Sequence, residues 1–213
     1  MNEPRRKESF NTSRQNAMID VLAVVGASVG YVILEAFQVP KRWSFVAIGV
    51  VLTVYAIYLI RRRTESWRAL GFRTDNLREG LLPVGIVTVV AAAGLIGVAT
   101  LRGAEVRLSD ILLLLALYPV WALVQQLAFQ GLLHQRLTML VRAPLLQVLI
   151  TAAAFASVHF GNRVLMGLTF LGGIAWSVLY RRWPNLWLLA GSHTVLAALV
   201  YPLILADAPL SRV

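Results

Sequence analysis

Residues 80–101 read "GLLPVGIVTVVAAAGLIGVATL", a run with no charged side chain. A helix of that length reaches about 33 Å at 1.5 Å per residue, enough to cross a hydrocarbon layer of about 30 Å. In lipid every backbone N–H and C=O must be satisfied within the structure, and an open strand edge leaves a row of them unmet. Such a run therefore folds as a helix. Comparable stretches recur at 18–37, 44–60, 110–133, 144–160, 164–180 and 185–206, which gives seven expected spans. The fifth and sixth are short, and only "FGNR" separates them, so a tight helical hairpin is expected there. The fold class read from this pattern is all-α, a polytopic transmembrane helix bundle.

Composition points the same way. Hydrophobic residues make up 58% of the chain and charged residues 14%, whereas soluble domains carry about 25% charged residues. The formal charge is +10, from 20 Lys+Arg against 10 Asp+Glu. In so apolar a chain that excess speaks of membrane orientation, not of nucleic-acid binding. With seven spans and a cytoplasmic N-terminus, 14 of the 20 basic residues fall inside and 6 outside. The bias favours a cytoplasmic N-terminus and an outside C-terminus. The expected organisation is a polar, basic tail at 1–17, disordered or interfacial, one transmembrane domain at 18–206 and a short tail at 207–213. The first apolar stretch lacks a small-residue cleavage pattern and reads as a retained span. Trp43, Trp183 and Trp187 fall at span ends, where interfacial aromatics sit. Gly26 and Gly30 form a weak helix-packing pair. Without cysteine there is no disulfide framework, no thiolate metal site and no cysteine nucleophile.

Polar residues at membrane depth stand out against this background, because each unsatisfied group costs several kcal/mol in lipid. The stretch "LVQQLAFQGLLHQRL" at 123–137 carries Gln125, Gln126, Gln130 and His134. His159 ends the fifth span, His193 lies inside the seventh and Glu35 sits near the end of the first. Gln126, Gln130 and His134 step by four and would share one face of an α-helix, with Gln125 about 100° away. Interhelical hydrogen bonding alone accounts for one such glutamine, at roughly 0.6 kcal/mol per contact. Four polar residues within ten positions, with two membrane histidines downstream, favour a site.

"VQQLAFQGLL", "FASVHFGN" and "LAGSHTVLAAL" together resemble the CAAX-protease and bacteriocin-processing group of intramembrane proteases, the Rce1-like proteins. The pattern of that group is EExxxR, then FxxxH, then HxxxN or HxxxD. "LGFR" ahead of the third span is also similar to bacterial members, so the resemblance covers about 66–200, with an Rce1-like core at about 110–200. It implies an integral protein of a bacterial plasma membrane that acts on a membrane-embedded or lipidated peptide. Carried over by position, Gln125 and Gln126 stand where the group has two glutamates, and Gln130 where it has arginine. Phe155 and His159 match FxxxH, and His193 matches the last histidine. Ala197 replaces the Asn or Asp. The resemblance makes Gln125, Gln126, Gln130, His159 and His193 the catalytic-position residues, with Phe129, Phe155 and His134 expected to contact substrate.

These departures change the chemistry. The implied reaction needs a carboxylate to take a proton from water, and a glutamine oxygen is too weakly basic for that. The lost base accounts for about 100- to 10,000-fold in rate, and a missing oxyanion donor for about 100- to 1,000-fold more. Replacing both Glu and Arg at 126 and 130 leaves no stranded charge, and two amides can still hydrogen-bond at that spacing. The leading expectation is a pseudoenzyme that binds without efficient cleavage. The alternatives are an active hydrolase with rearranged groups and a structural membrane subunit. Within the hydrolase reading, Glu35 is a candidate replacement base, and Ser157 or Ser192 a poorly placed nucleophile. No cofactor is expected; a metal held by His159 and His193, with or without His134, is the competing reading. Expected partners are membrane lipids and a membrane-embedded or lipidated peptide, with no nucleic acid.

Overall fold

The computed structural model describes residues 3–62 and 66–206. The expected C-terminal tail at 207–213 lies outside the described residues. Eight α-helices follow in order: α1 (Glu3–Ala36), α2 (Lys41–Arg62), α3 (Leu77–Leu101), α4 (Leu108–Gln126), α5 (Gln135–Leu140), α6 (Pro144–Ser157), α7 (Arg163–Arg182) and α8 (Leu186–Leu199). A π-helical segment, Leu127–His134, joins α4 to α5 without a break, and a second, Val200–Ile204, extends α8. No strand occurs among the described residues.

Six of these helical stretches are long and apolar enough to cross a membrane. The first is Arg14–Ala36 and begins before residue 18, on a backbone already helical from Glu3. The fourth is 33 residues, because α4, the π segment and α5 run on as one rod from Leu108 to Leu140. The expected fifth span is shorter than 144–160: α6 has 14 residues, or about 21 Å of helix. It packs as a hairpin on α7, with Gly173 so close that an added Cβ would lie 2.8 Å from the Cα of Ala152. Gly26 and Gly30 have open space beside them and make no such contact. Leu81, Leu82, Val89, Val90, Leu101 and Val120 are all exposed, and an apolar surface of that extent is stable only against hydrocarbon.

The segment between α2 and α3 is a wedge in the bundle. Leu70 is fully buried, and the Tyr180 hydroxyl donates to its carbonyl at 3.1 Å. Gly71 turns the chain at φ +97°, where a Cβ would lie 2.6 Å from that same hydroxyl. Its carbonyl accepts from Leu186 N at 2.8 Å, which seats the start of α8. The side chain of Asn185 caps α8 on Leu188 N and donates to Arg73 O at 2.7 Å. Gly131, in the middle of the π segment, is required because a Cβ there would meet Leu70 O at 2.6 Å. At the wedge surface Arg73 and Arg68 bind Asp75 at 2.6 and 2.8 Å. The hydrogen bond from Arg73 is the main reason the Asp75 carboxyl is held below its usual range.

α1 is tied to the core by an ion pair that the sequence reading passed over. Asp20 and Arg136 are buried and meet at 2.7 Å, and the Tyr55 hydroxyl donates to the other carboxylate oxygen.

Candidate functional site

The π segment sets the first part of the site. Its hydrogen bonds run five residues back, as from Gln135 N to Gln130 O, so the expected α-helical stripe is opened up. Gln130 Nε2 donates to Ser177 Oγ of α7 at 3.1 Å. Gln126 and Gln130 do not bond to each other, contrary to the spacing argument, because the register widens between them. Gln126 is buried and its Oε1 has no hydrogen-bond partner among the described residues. His134 turns to α6 instead: its Nδ1 lies 3.0 Å from Thr151 Oγ1. The threonine proton is directed to Gln147 O at 2.9 Å, so His134 Nδ1 is the donor and its tautomer is fixed.

Gln125, His159 and His193 come together around two chambers. One, of about 570 Å³, lies between α3, α7 and α8; its walls are mainly aliphatic, with His159, His193, Trp176, Tyr118 and Arg102 also on its lining. The other, of about 410 Å³, lies between α1, α4 and the α6–α7 turn and is lined by Glu35, Gln125, His159, Tyr31, Trp121 and Tyr201 among others. His159, Leu165 and Tyr201 line both, so the two chambers adjoin at these side chains. The Tyr118 hydroxyl donates to Gln125 Oε1 at 3.4 Å and its ring stands edge-on to His193 at 5.5 Å. A further void of about 30 Å³ borders Gln125, Ser28 and Tyr31, with mainly aliphatic and aromatic walls.

The short α6 explains how the two histidines meet. Helix ends at Ser157, and His159 sits on the following turn, bonded through its N–H to Ala156 O at 3.0 Å. The Phe155 ring is edge-on to both imidazoles, 5.8 Å from His159 and 5.5 Å from His193 between ring centroids. Trp176 covers the other side of His193 at 4.7 Å, and His193 Nδ1 is buried without a hydrogen-bond partner among the described residues.

Phe129, Phe155 and His134 line neither chamber. All three are buried, and the Phe129 and Phe155 rings pack at a tilt with centroids 4.9 Å apart. His134 is directed elsewhere, and no three His, Asp or Glu side chains gather as a ligand set among the described residues. The serines are occupied. Ser192 Oγ accepts from Trp176 Nε1 at 3.1 Å and lies 2.7 Å from Thr88 Oγ1, a bridge between three helices. Ser157 donates to Ala154 O at 2.8 Å. Glu35, by contrast, shares the polar chamber with Gln125 and His159 and is the one acidic side chain lining either chamber among the described residues. Sequence reading missed Tyr118, Trp176 and Tyr201. A spacing of seven, two helical turns, relates Tyr118 to Gln125 and was the available signal.

A helical bundle with an apolar outer coat that encloses buried amides and histidines is an integral membrane protein with an internal cavity. The family model for Type II CAAX prenyl endopeptidase Rce1-like proteins matches residues 107–199, from the start of α4 to the end of α8. Over that stretch the chain is similar to the Rce1-like proteins. No curated protein and no solved structure gives a significant match.

Proposed function

We propose that this protein is a non-cleaving member of the CAAX-protease family that holds a membrane-embedded or lipidated peptide at the two adjoining chambers. One observation carries the reading: Gln125, an amide at the position of the family's water-activating carboxylate, shares a chamber with His159, which in turn shares another with His193. The cavity is kept and the base is not. Ala197 borders the larger chamber where the family has an oxyanion-holding amide or acid, so the second catalytic contribution is absent as well. The aliphatic chamber suits a lipid chain or apolar side chains, and the polar one suits the peptide end.

The test is a farnesylated tail peptide added to the full chain in nanodiscs, with affinity and peptide mass followed together. The expected result is saturable binding of an intact peptide, weakened at least about tenfold by His159→Leu, a loss of about 1.4 kcal/mol. Cleavage that vanishes in His193→Ala would replace this reading with an active hydrolase. Undiminished binding after changing Gln125, Gln126, Gln130, His159 and His193 together would leave only a packing role.

The active-hydrolase reading has one observation in its favour, the carboxylate of Glu35 in the chamber of Gln125 and His159. It requires cleavage that Glu35→Gln abolishes.

A further inference from the structure

We infer that the aliphatic chamber takes a free single-chain lipid with an anionic head, a phosphate or a carboxylate, and that Arg102 holds that head. The inference shares this chamber with the binding reading above but needs no peptide.

Charge gives the direction. Apart from its two histidines, Arg102 is the one side chain on the described lining that carries a charge, and no acid lines the chamber. The Arg102 backbone N–H closes the end of α3 on Val98 O at 3.1 Å. Its side chain makes no hydrogen bond or ion pair with any described residue. Glu105, three residues on, is turned to Arg107 at 4.0 Å. A guanidinium presents its N–H groups as a fork that fits two oxygens of a phosphate or carboxylate. A neutral lipid, or an apolar peptide side chain, would leave this cation unmatched.

The rest of the chamber suits a hydrocarbon chain. Its α3 wall runs from Val87 through Ala91 and Leu95 to Arg102, about 22 Å of helix. One leaflet of a hydrocarbon core of about 30 Å is roughly 15 Å deep, so the wall is long enough for the chain of a membrane lipid. A volume of about 570 Å³ falls within the range of about 300–1,000 Å³ typical of small-molecule pockets. Val98 of α3 and Val164 and Leu171 of α7 line the chamber and are also exposed. The chamber therefore opens to hydrocarbon between these two helices, and a lipid enters without passing through water. Gly94 lies on the same wall, and a Cβ there would meet nothing within 4 Å, so a large side chain at 94 enters open space.

The test uses the full chain in a non-ionic detergent and three amphiphiles that share one saturated chain: palmitate, hexadecyl phosphate and hexadecanol. Native mass spectrometry counts the bound molecules and gives their affinities. Expected is one molecule of an anion, bound about fivefold more tightly than hexadecanol. Arg102→Gln abolishes that preference and Arg102→Lys keeps part of it. Gly94→Trp weakens binding of all three amphiphiles and leaves thermal unfolding unchanged. The anion that binds more tightly names the head, a lipid phosphate or a fatty acid. Equal affinity for the three, or a preference that survives Arg102→Gln, overturns the inference. So does undiminished binding in Gly94→Trp, which would put the lipid outside the chamber. A farnesylated tail peptide in the same preparation keeps the two readings apart. Peptide binding without an anion preference sinks this inference and spares the peptide reading; Arg102-dependent anion binding without peptide binding does the reverse.

Discussion

An amide at position 125 accepts from the Tyr118 hydroxyl and borders the polar chamber, so it can orient a water but not deprotonate it. In the proposed reading this missing base, more than any change in shape, is what prevents cleavage. Gln125→Glu restores only one element. Ala197 still supplies no donor to a developing oxyanion, a deficit of about 100- to 1,000-fold, and positions 126 and 130 remain amides. Peptide mass spectrometry is therefore expected to show no cleavage in this variant. Ready cleavage would mean that positions 126, 130 and 197 are dispensable. The residues themselves were legible in the sequence because glutamine and histidine are costly at membrane depth. Their partners were not: nothing in the linear order says that Gln130 reaches Ser177 while His134 turns to Thr151, since that depends on a π register the α period does not anticipate.

At the scale of helices, the spans were read well where apolar length alone decides, as in α3. They were read poorly where tertiary contacts set the end, as in α6, which stops at Ser157 although apolar residues run on. The Asp20–Arg136 pair was missed for a related reason. Arg136 is one of the 14 basic residues expected inside, yet it is buried against Asp20 of α1 at 2.7 Å. A buried pair adds little over apolar packing, but removing one partner costs about 3–5 kcal/mol. Asp20→Asn is thus expected to destabilise the protein by about that amount, and Asp20→Leu with Arg136→Met to recover most of it. Thermal unfolding of both variants in one detergent checks this. Equal loss in the single and double variants would show that the pair itself is not what holds α1 to the core.

The whole molecule has two unlike ends. Arg14 reaches Leu140 O, Gln135 reaches Ala69 O in the wedge, and the wedge seats the start of α8 beside Arg181 and Arg182. The arginine-rich segments therefore share one end of the bundle. Glu35, Arg102 and the turn at His159–Asn162 border the chambers, toward the other end of the same helices. Basic residues near span ends are retained on the cytoplasmic side, so the chambers are expected to open in the outer half of the membrane. The chain contains no cysteine, which makes single-cysteine labelling free of background. Glu105→Cys is expected to react with a membrane-impermeant maleimide in intact cells, and Ser66→Cys only after permeabilisation. The reverse pattern would turn the chambers toward the cytoplasm.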